Sequence, residues 1–393
     1  MTDHPALALA RTRYADRRPR SRAIFERASA VFPGGSTRSV LDMSPFPFRV
    51  ASAEGAVLTD VDGHTYVDLL GDYSAGLLGH DPRPIRDAVN AALDRGWSYG
   101  GVHTDEVRFA EAVVARFPSI EQVRFTNSGT EANLMAIQLA RHHTGRDRIA
   151  VMDRAYHGGL LYFGIGGEAL RAPFDFLRLA YNDVDGVEAI DESVAAVLVE
   201  PMMGAAGCIA AADGFLAALR ARCDATGALL VFDAVMTSRT AYGGAQSVNG
   251  VLPDLTTLGK YLAGGMTFGA FGGRADLMAA FDPARGGTLT HGGTFNNNVV
   301  TMAAGAAADE LLDERTLTTL FERGERLRAS LNDVFVRRAV EWTATGLGSF
   351  TCLHPVPAPV VGPRDLDAAD PIDRELLFHA LLERGYYLAP RGY

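Results

Sequence analysis

The chain has 393 residues, of which 48% are hydrophobic and 21% charged, the proportions of an ordinary globular protein with material for one large domain and a smaller one. A net charge of −10 argues against nucleic acid as the main partner, and apolar runs too short to cross a bilayer argue against a membrane. Three widely spaced cysteines, Cys208, Cys223 and Cys352, show no metal-ligand pattern and, with no signal peptide in view, predict a reducing, cytoplasmic compartment.

Arginines at 11, 13, 17, 18, 20 and 22 read as a solvated N-terminal helix or arm running into a helix over 20–31. Pro33-Gly34-Gly35-Ser36 marks a turn, and 49–68 reads as a hairpin with Asp62-Gly63 at its tip. Beyond this the pattern alternates. Strands are predicted at 123–126, 148–152, 194–199, 228–232 and 255–258, and helices at 131–142, 214–225 and 299–312. A long amphipathic helix over 316–339 follows, then short strands and loops rich in Pro and Asp. The expected fold class is α/β. A large domain over 69–310 would hold a mostly parallel sheet with helices on both faces, and a smaller α+β domain would form from both chain ends, 1–68 and 311–393.

Ligands of such sheets gather beyond the carboxyl ends of the strands, and Ser128, Glu200, Asp233 and Lys260 all closely follow predicted strands. Lys260 ends the mostly uncharged run Asp254-Leu255-Thr256-Thr257-Leu258-Gly259. Burial there lowers a lysine pKa by roughly 3–5 units from about 10.4 and leaves a neutral amine, a nucleophile toward an aldehyde. Asp233 ends the apolar run 228–232. A carboxylate about 3 Å from a pyridinium attracts it by roughly 5 kcal/mol at an effective dielectric near 20, or about four pKa units. That is enough to keep a pyridine ring protonated. The pair predicts pyridoxal 5′-phosphate (PLP), with Asp233 holding the ring nitrogen, Lys260 holding the aldehyde, and both residues catalytic.

Ser128-Gly129-Thr130 opens the helix at 131–142. Its unpaired N–H groups, its positive dipole end and the bare Gly129 backbone suit the phosphate, although Ser128 with Glu131 also spells a capping box. Tyr156 is placed to stack on the ring, with Val235 over the other face. His157 beside it reads as structural. Asn182 either reaches the cofactor's phenolic oxygen or simply forms a turn.

Ser128-Gly129-Thr130-Glu131-Ala132, Tyr156-His157-Gly158, Glu200-Pro201, Asp233 with Val235-Met236-Thr237, and Leu258-Gly259-Lys260 together resemble the class III, fold-type I PLP-dependent aminotransferases, in the branch that includes glutamate-1-semialdehyde aminomutase. Thr37-Arg38-Ser39-Val40, Pro173-Phe174-Asp175-Phe176-Leu177, Met236-Thr237-Ser238-Arg239, the stretch 268–274, the stretch 291–298 and Pro390-Arg391-Gly392 resemble, more narrowly, the β-phenylalanine (aromatic β-amino acid) aminotransferases. The resemblance spans nearly the whole chain.

It implies a homodimer with shared active sites, in which Thr294 reaches the neighbouring subunit's PLP phosphate. It also implies that Arg38 and Arg391 receive substrate carboxylates, that Glu200 belongs with the cofactor contacts and that Met236 belongs with the substrate contacts. The implied reaction is a ping-pong transfer of the amino group of a β-phenylalanine-like β-amino acid to a 2-oxo acid such as 2-oxoglutarate or pyruvate. An aminomutase-like isomerase or racemase is the alternative, and a PLP-binding protein with little turnover the second. Two departures stand out. Ala234 occupies the place of the family's glutamate, which removes a carboxylate expected beside the cofactor. The chain also stops at Tyr393, where the family continues through another strand and a helix.

Overall fold

A computed structural model describes residues 4–390. The two chain ends meet in one small sheet. Val50–Glu54, Val57–Asp60 and Thr65–Asp68 form an antiparallel meander, and Tyr386–Tyr387 joins it in parallel, with Tyr386 opposite Val67. Gly63 turns the second hairpin at φ +93°. The adjacent Asp62 accepts from the backbone N–H of Arg20 at 2.7 Å and of Ser21 at 3.0 Å, which satisfies the N-terminus of the helix Pro19–Ser29.

The arginine-rich start is helical with Arg13, Arg17, Arg20 and Arg22 exposed, as expected, but Arg11 and Arg18 depart from that reading. Pro5–Asp16 is a helix, and Arg11 pairs with Glu375 at 2.6 Å. Arg18 is buried, with its guanidinium over the Tyr14 ring at 4.2 Å, bonded to the Tyr66 hydroxyl at 2.7 Å and 3.6 Å from Asp60. A buried guanidinium is tolerated only with such partners. Tyr14 is four residues away, but Tyr66 lies 48 residues on and Asp60 is on the same distant sheet, so the local sequence does not display them.

Seven strands form the large sheet, in the order Gln122–Thr126, Gly269–Gly273, Leu255–Gly259, Leu229–Asp233, Val194–Val199, Arg148–Met152, Asp175–Leu179. All run parallel except Gly269–Gly273, which is antiparallel to both neighbours. The six residues of Val194–Val199 are all 0% exposed, so this part of the sheet is covered on both sides.

Two of these strands escape sequence reading. Gly269-Ala270-Phe271-Gly272-Gly273 lacks β-branched residues, yet its glycines answer to crowding. A Cβ at Gly269 would come within 2.4 Å of the Ser128 carbonyl carbon, and one at Gly273 within 2.2 Å of the Asp254 oxygen. Asp175–Leu179 is a partly exposed edge strand carrying its own charges, as edge strands do.

The helices Gly129–Thr144, Phe215–Thr226 and Val299–Glu310 pack against the sheet and its connections. One apolar core gathers Leu139, Val197, Phe215 and Phe232, and a second gathers Phe109, Phe117, Leu258, Tyr261 and Met302. After the helix Glu314–Arg337, Thr343–Thr345 and Cys352–His354 pair as a short antiparallel ladder. Because the strands ending at Thr126, Val199, Asp233 and Gly259 point the same way, the residues that follow them share one edge of the sheet. Among the described residues no helix is long and apolar enough to cross a membrane.

Candidate active site

Along that edge opens a cavity of about 270 Å³, to which Ser128, Gly129, Thr130, Asp233, Val235 and Lys260 all contribute. Ser128 is the N-cap of the 16-residue helix Gly129–Thr144, its Oγ accepting from the Glu131 N–H at 3.2 Å. Glu131 reaches back to the Asn127 N–H at 2.9 Å, one residue before the cap and not the Ser128 N–H of a full capping box, so the Ser128 half of the predicted motif is the part that forms. It does not exclude an anion, because the helix end still faces the cavity with its dipole and its hydroxyls. The backbone there is tight. A Cβ at Gly158 would fall 2.2 Å from Thr130 Oγ1, and one at Gly129 would fall 2.8 Å from the Val235 side chain.

Asp233 is buried and bonded within the chain through both oxygens, Oδ1 by a single bond. Its Oδ2 accepts from Asn133 Nδ2 at 2.8 Å and from His157 Nδ1 at 2.8 Å, and its Oδ1 accepts from the Val235 N–H at 3.0 Å. Asn133 is held in turn, donating to the His157 carbonyl at 3.0 Å and accepting from Thr257 Oγ1 at 2.6 Å. Together these bonds fix the orientation of the carboxylate.

Lys260, just past the end of the next strand of the sheet, lines the same cavity as this network and lies in the left-handed region at φ +56°. That conformation is strained for any residue with a Cβ. Burial pushes its ammonium below the ordinary lysine range, while the charges of Asp233 and Glu200 pull the other way. Glu200 is buried as well, its oxygens accepting from the Tyr156 N–H at 3.1 Å and the Gly204 N–H at 2.8 Å. Burial raises its pKa, His157 lowers it and Asp233 raises it further.

Tyr156, half-exposed, walls the cavity with Met236, Met266 and Phe268. The donor set suits PLP: a helix end and hydroxyls for the phosphate, a pinned carboxylate for a ring N–H, a buried amine whose charged form desolvation disfavours for the aldehyde, and an aromatic and aliphatic wall.

Several expected residues lie elsewhere. Asn182 is not in the cavity wall. Its amide donates to the carbonyls of Ala210 at 3.1 Å and Val361 at 2.8 Å and its oxygen accepts from the Ala212 N–H at 2.8 Å, at a backbone φ of +64°. The turn reading is the one the structure has, and no donor remains for a cofactor. Arg38 lies outside the wall too, 3.4 Å from Asp72 and over the Tyr73 ring at 5.0 Å. Thr294 is exposed in a separate shallow crevice with Tyr99, His103 and Phe295, and Arg391 falls outside the described residues.

Ala234 is also away from the cavity. Its methyl joins the apolar cluster of Phe117 and Tyr261, because alternation along the strand end sends residue 234 to the opposite side from Asp233 and Val235. The missing glutamate is therefore no loss from the cavity wall. Conversely, Asn133 and His157 belong to the site although the sequence reading passed over the first and took the second as structural. Asn133 stands four positions after Gly129, one helical turn deeper on the same face, and that spacing was the available signal. Among the described residues no group of His, Cys, Asp or Glu is arranged to hold a metal ion.

Comparison with known proteins agrees with this chemistry. The family model for class-III aminotransferases matches residues 40–163 and 175–355. The β-phenylalanine transaminase of Variovorax paradoxus is 50% identical over 393 residues, covering 99% of this chain and 90% of that protein. Its crystal structure superposes with a TM-score of 0.97, covering 99% of this chain and 91% of that one. A transaminase solved with PLP bound matches with a TM-score of 0.87 at 34% identity, over 95% of this chain and 92% of that one. The glutamate-1-semialdehyde 2,1-aminomutase of Methanothermobacter thermautotrophicus is 38% identical over 388 residues, 94% of this chain and 92% of that protein.

Proposed function

The chain belongs to the class-III aminotransferases, which depend on PLP, and from that premise we propose that it moves the amino group of a β-amino acid of the β-phenylalanine type to a 2-oxo acid, 2-oxoglutarate or pyruvate. The observation that carries the chemistry is the meeting of Lys260 and Asp233 in one cavity, beside a helix end shaped for phosphate. The substrate class rests on 50% identity, across almost the full length, to the Variovorax enzyme.

PLP, when bound, supplies an aldehyde and an electron-withdrawing ring. Ser128, Gly129 and Thr130 would hold its phosphate, and Tyr156 and Val235 would flank its ring. Asp233, held in place by Asn133, His157 and the Val235 N–H, would face the ring nitrogen. Lys260 would hold the aldehyde end and, once displaced by a substrate amine, Nζ would take a proton from the carbon bearing that amine. Glu200 fixes the Tyr156 and Gly204 backbone beside them.

A β-amino acid carries its carboxylate one carbon further from the amine than an α-amino acid does. Arg38, on an exposed segment, is suited to that longer reach, and its guanidinium fork matches a carboxylate bidentately. Arg391 would receive the carboxylate of the 2-oxo acid, and Met236 would contact the substrate. Thr294, away from its own chain's cavity, would serve the partner's phosphate in a homodimer. Three free, buried cysteines accord with a cytoplasmic setting.

The test has two parts. Borohydride should fix PLP onto Lys260, and Lys260→Ala should abolish that capture. The absorbance of the PLP form should then change on mixing with β-amino acids in preference to α- or γ-amino acids, with donor and 2-oxo acid consumed in equal amounts. A preference for α-amino acids would remove the β-amino acid assignment. Isomer formed with no acceptor present would favour the aminomutase reading instead.

A further inference from the structure

Arg116 is the largest side chain among those wholly withdrawn from solvent in the described residues, and none of its contacts belongs to the cavity wall. A guanidinium so placed must have its donors met. Nε donates to the Tyr242 carbonyl at 2.8 Å, and one terminal nitrogen donates to the Tyr261 hydroxyl at 3.0 Å and, more weakly, to the Ser238 carbonyl at 3.4 Å. The other faces Asp309 Oδ1 at 3.4 Å. The ring faces of Phe117, Tyr242 and Tyr261 lie 5.1, 5.5 and 5.8 Å from its centre.

These partners fall into two segments that matter. Ser238 and Tyr242 belong to the turn that leaves Asp233, and Tyr261 is the residue after Lys260. One side chain, at the end of the helix Thr104–Arg116, therefore ties the Asp233 turn to the Lys260 turn. The need for such a tie is visible at Lys260, whose left-handed backbone persists only where its neighbours over-determine it. Tyr261, 1% exposed, anchors the next residue by its ring in the apolar cluster and by its hydroxyl on Arg116.

We propose that Arg116, acting through Tyr261 and the 238–242 turn, is a positioning residue that holds Lys260 in register with Asp233. The inference rests on the reading of those two residues given above. It assigns no contact between Arg116 and substrate or cofactor.

Tyr261→Phe tests it most cleanly, because a single oxygen is lost while the ring packing stays. Arg116→Lys keeps the charge and loses the fork, and the two variants should behave alike. In the holoenzyme we expect kcat to fall about tenfold, with KM for the amino donor within about twofold of the unaltered value, because the loss is of alignment and not of binding. The pH midpoint of the cofactor's visible absorbance, which reports the Lys260 nitrogen, should move by about half a unit or more, with thermal unfolding within about 3 °C of the unaltered enzyme.

An unchanged kcat and midpoint in Tyr261→Phe would overturn the proposal. So would a loss of activity that merely tracks a loss of folded protein. The unaltered enzyme is the control for the underlying reading: if it showed no cofactor fixed on Lys260, that reading and this inference would fall together, whereas a normal control with an unaffected variant removes the inference alone.

Discussion

On the floor of the cavity, Asp233 accepts three hydrogen bonds from groups of its own chain, and Asn133, one of the donors, is itself bonded to the His157 carbonyl and to Thr257. On the rim, Arg38 meets a single half-exposed carboxylate at 3.4 Å, and Thr294 lies exposed in a crevice of its own. The two regions follow different physical rules. A buried charge that loses a partner costs about 3–5 kcal/mol, so the floor is fixed once the chain folds. An exposed pair contributes roughly 0–1 kcal/mol, so rim side chains can change partners at little cost. The floor is built for chemistry that must not move, and the rim for groups that arrive from outside.

The sharpest way to break this contrast is Asp233→Asn. The amide keeps the shape but not the charge, and it confronts the Asn133 and His157 donors with a poorer acceptor. With roughly 5 kcal/mol at stake between the carboxylate and a protonated ring, kcat should fall by about 10³-fold or more under saturating PLP. A loss below tenfold would show that the floor's electrostatics do not drive the reaction.

A second test, smaller in effect, asks whether the floor is as dry as its contacts imply. Glu200, ordinarily near 4.5, is raised by burial, with Asp233 adding to the rise and His157 opposing it. A carboxyl whose pKa is raised on folding contributes stability that is complete below 4.5 and is lost as the pH climbs through its folded-state value. The apoprotein should therefore lose on the order of 2 kcal/mol from this source between pH 4.5 and neutrality. Chemical denaturation of Glu200→Gln alongside the unaltered chain measures it: the stability difference between the two should change with pH in that window and be flat below it. Asp367 on the surface runs the other way, because its bond to Arg154 lowers its pKa, and its small contribution is present above the ordinary value of 3.8 and lost on acidification.

How much of this was legible in the sequence follows the same division. The central strands were readable because complete burial demands unbroken apolar runs such as Val194–Val199, and the chemistry at their ends followed from the strand-end placement of Ser128, Glu200, Asp233 and Lys260. Gly269–Gly273 was not, because its glycines are set by the Ser128 and Asp254 backbones rather than by β-propensity. Nor was the role of Asn133, whose partners Asp233 and Thr257 lie 100 and 124 residues away. Asn182 shows the converse failure. Its amide suited either a cofactor or a turn, and only the positions of Ala210, Ala212 and Val361 decide between them. Local pattern identifies which residues are buried or strand-final, but not which distant groups consume their hydrogen bonds.

The smallest expected effect on folding, and the most informative about the rim, comes from Arg38→Gln. Both members of the Arg38–Asp72 pair are about half exposed, at 48% and 57%, so breaking it should leave the unfolding temperature within about 2 °C of the unaltered enzyme. If the same guanidinium receives the substrate carboxylate, its loss removes a charge-assisted hydrogen bond of about 1.5–3 kcal/mol from binding. KM for the β-amino acid should then rise roughly 10- to 100-fold with kcat little changed, the signature of an interaction made equally in the ground and transition states. Steady-state kinetics on the β-amino acid and on a matched amine lacking the carboxylate separates the cases. The carboxylate-free amine should be indifferent to the substitution. Equal losses on both substrates would mean that Arg38 shapes the cavity instead, and the rim would then have to be counted with the floor.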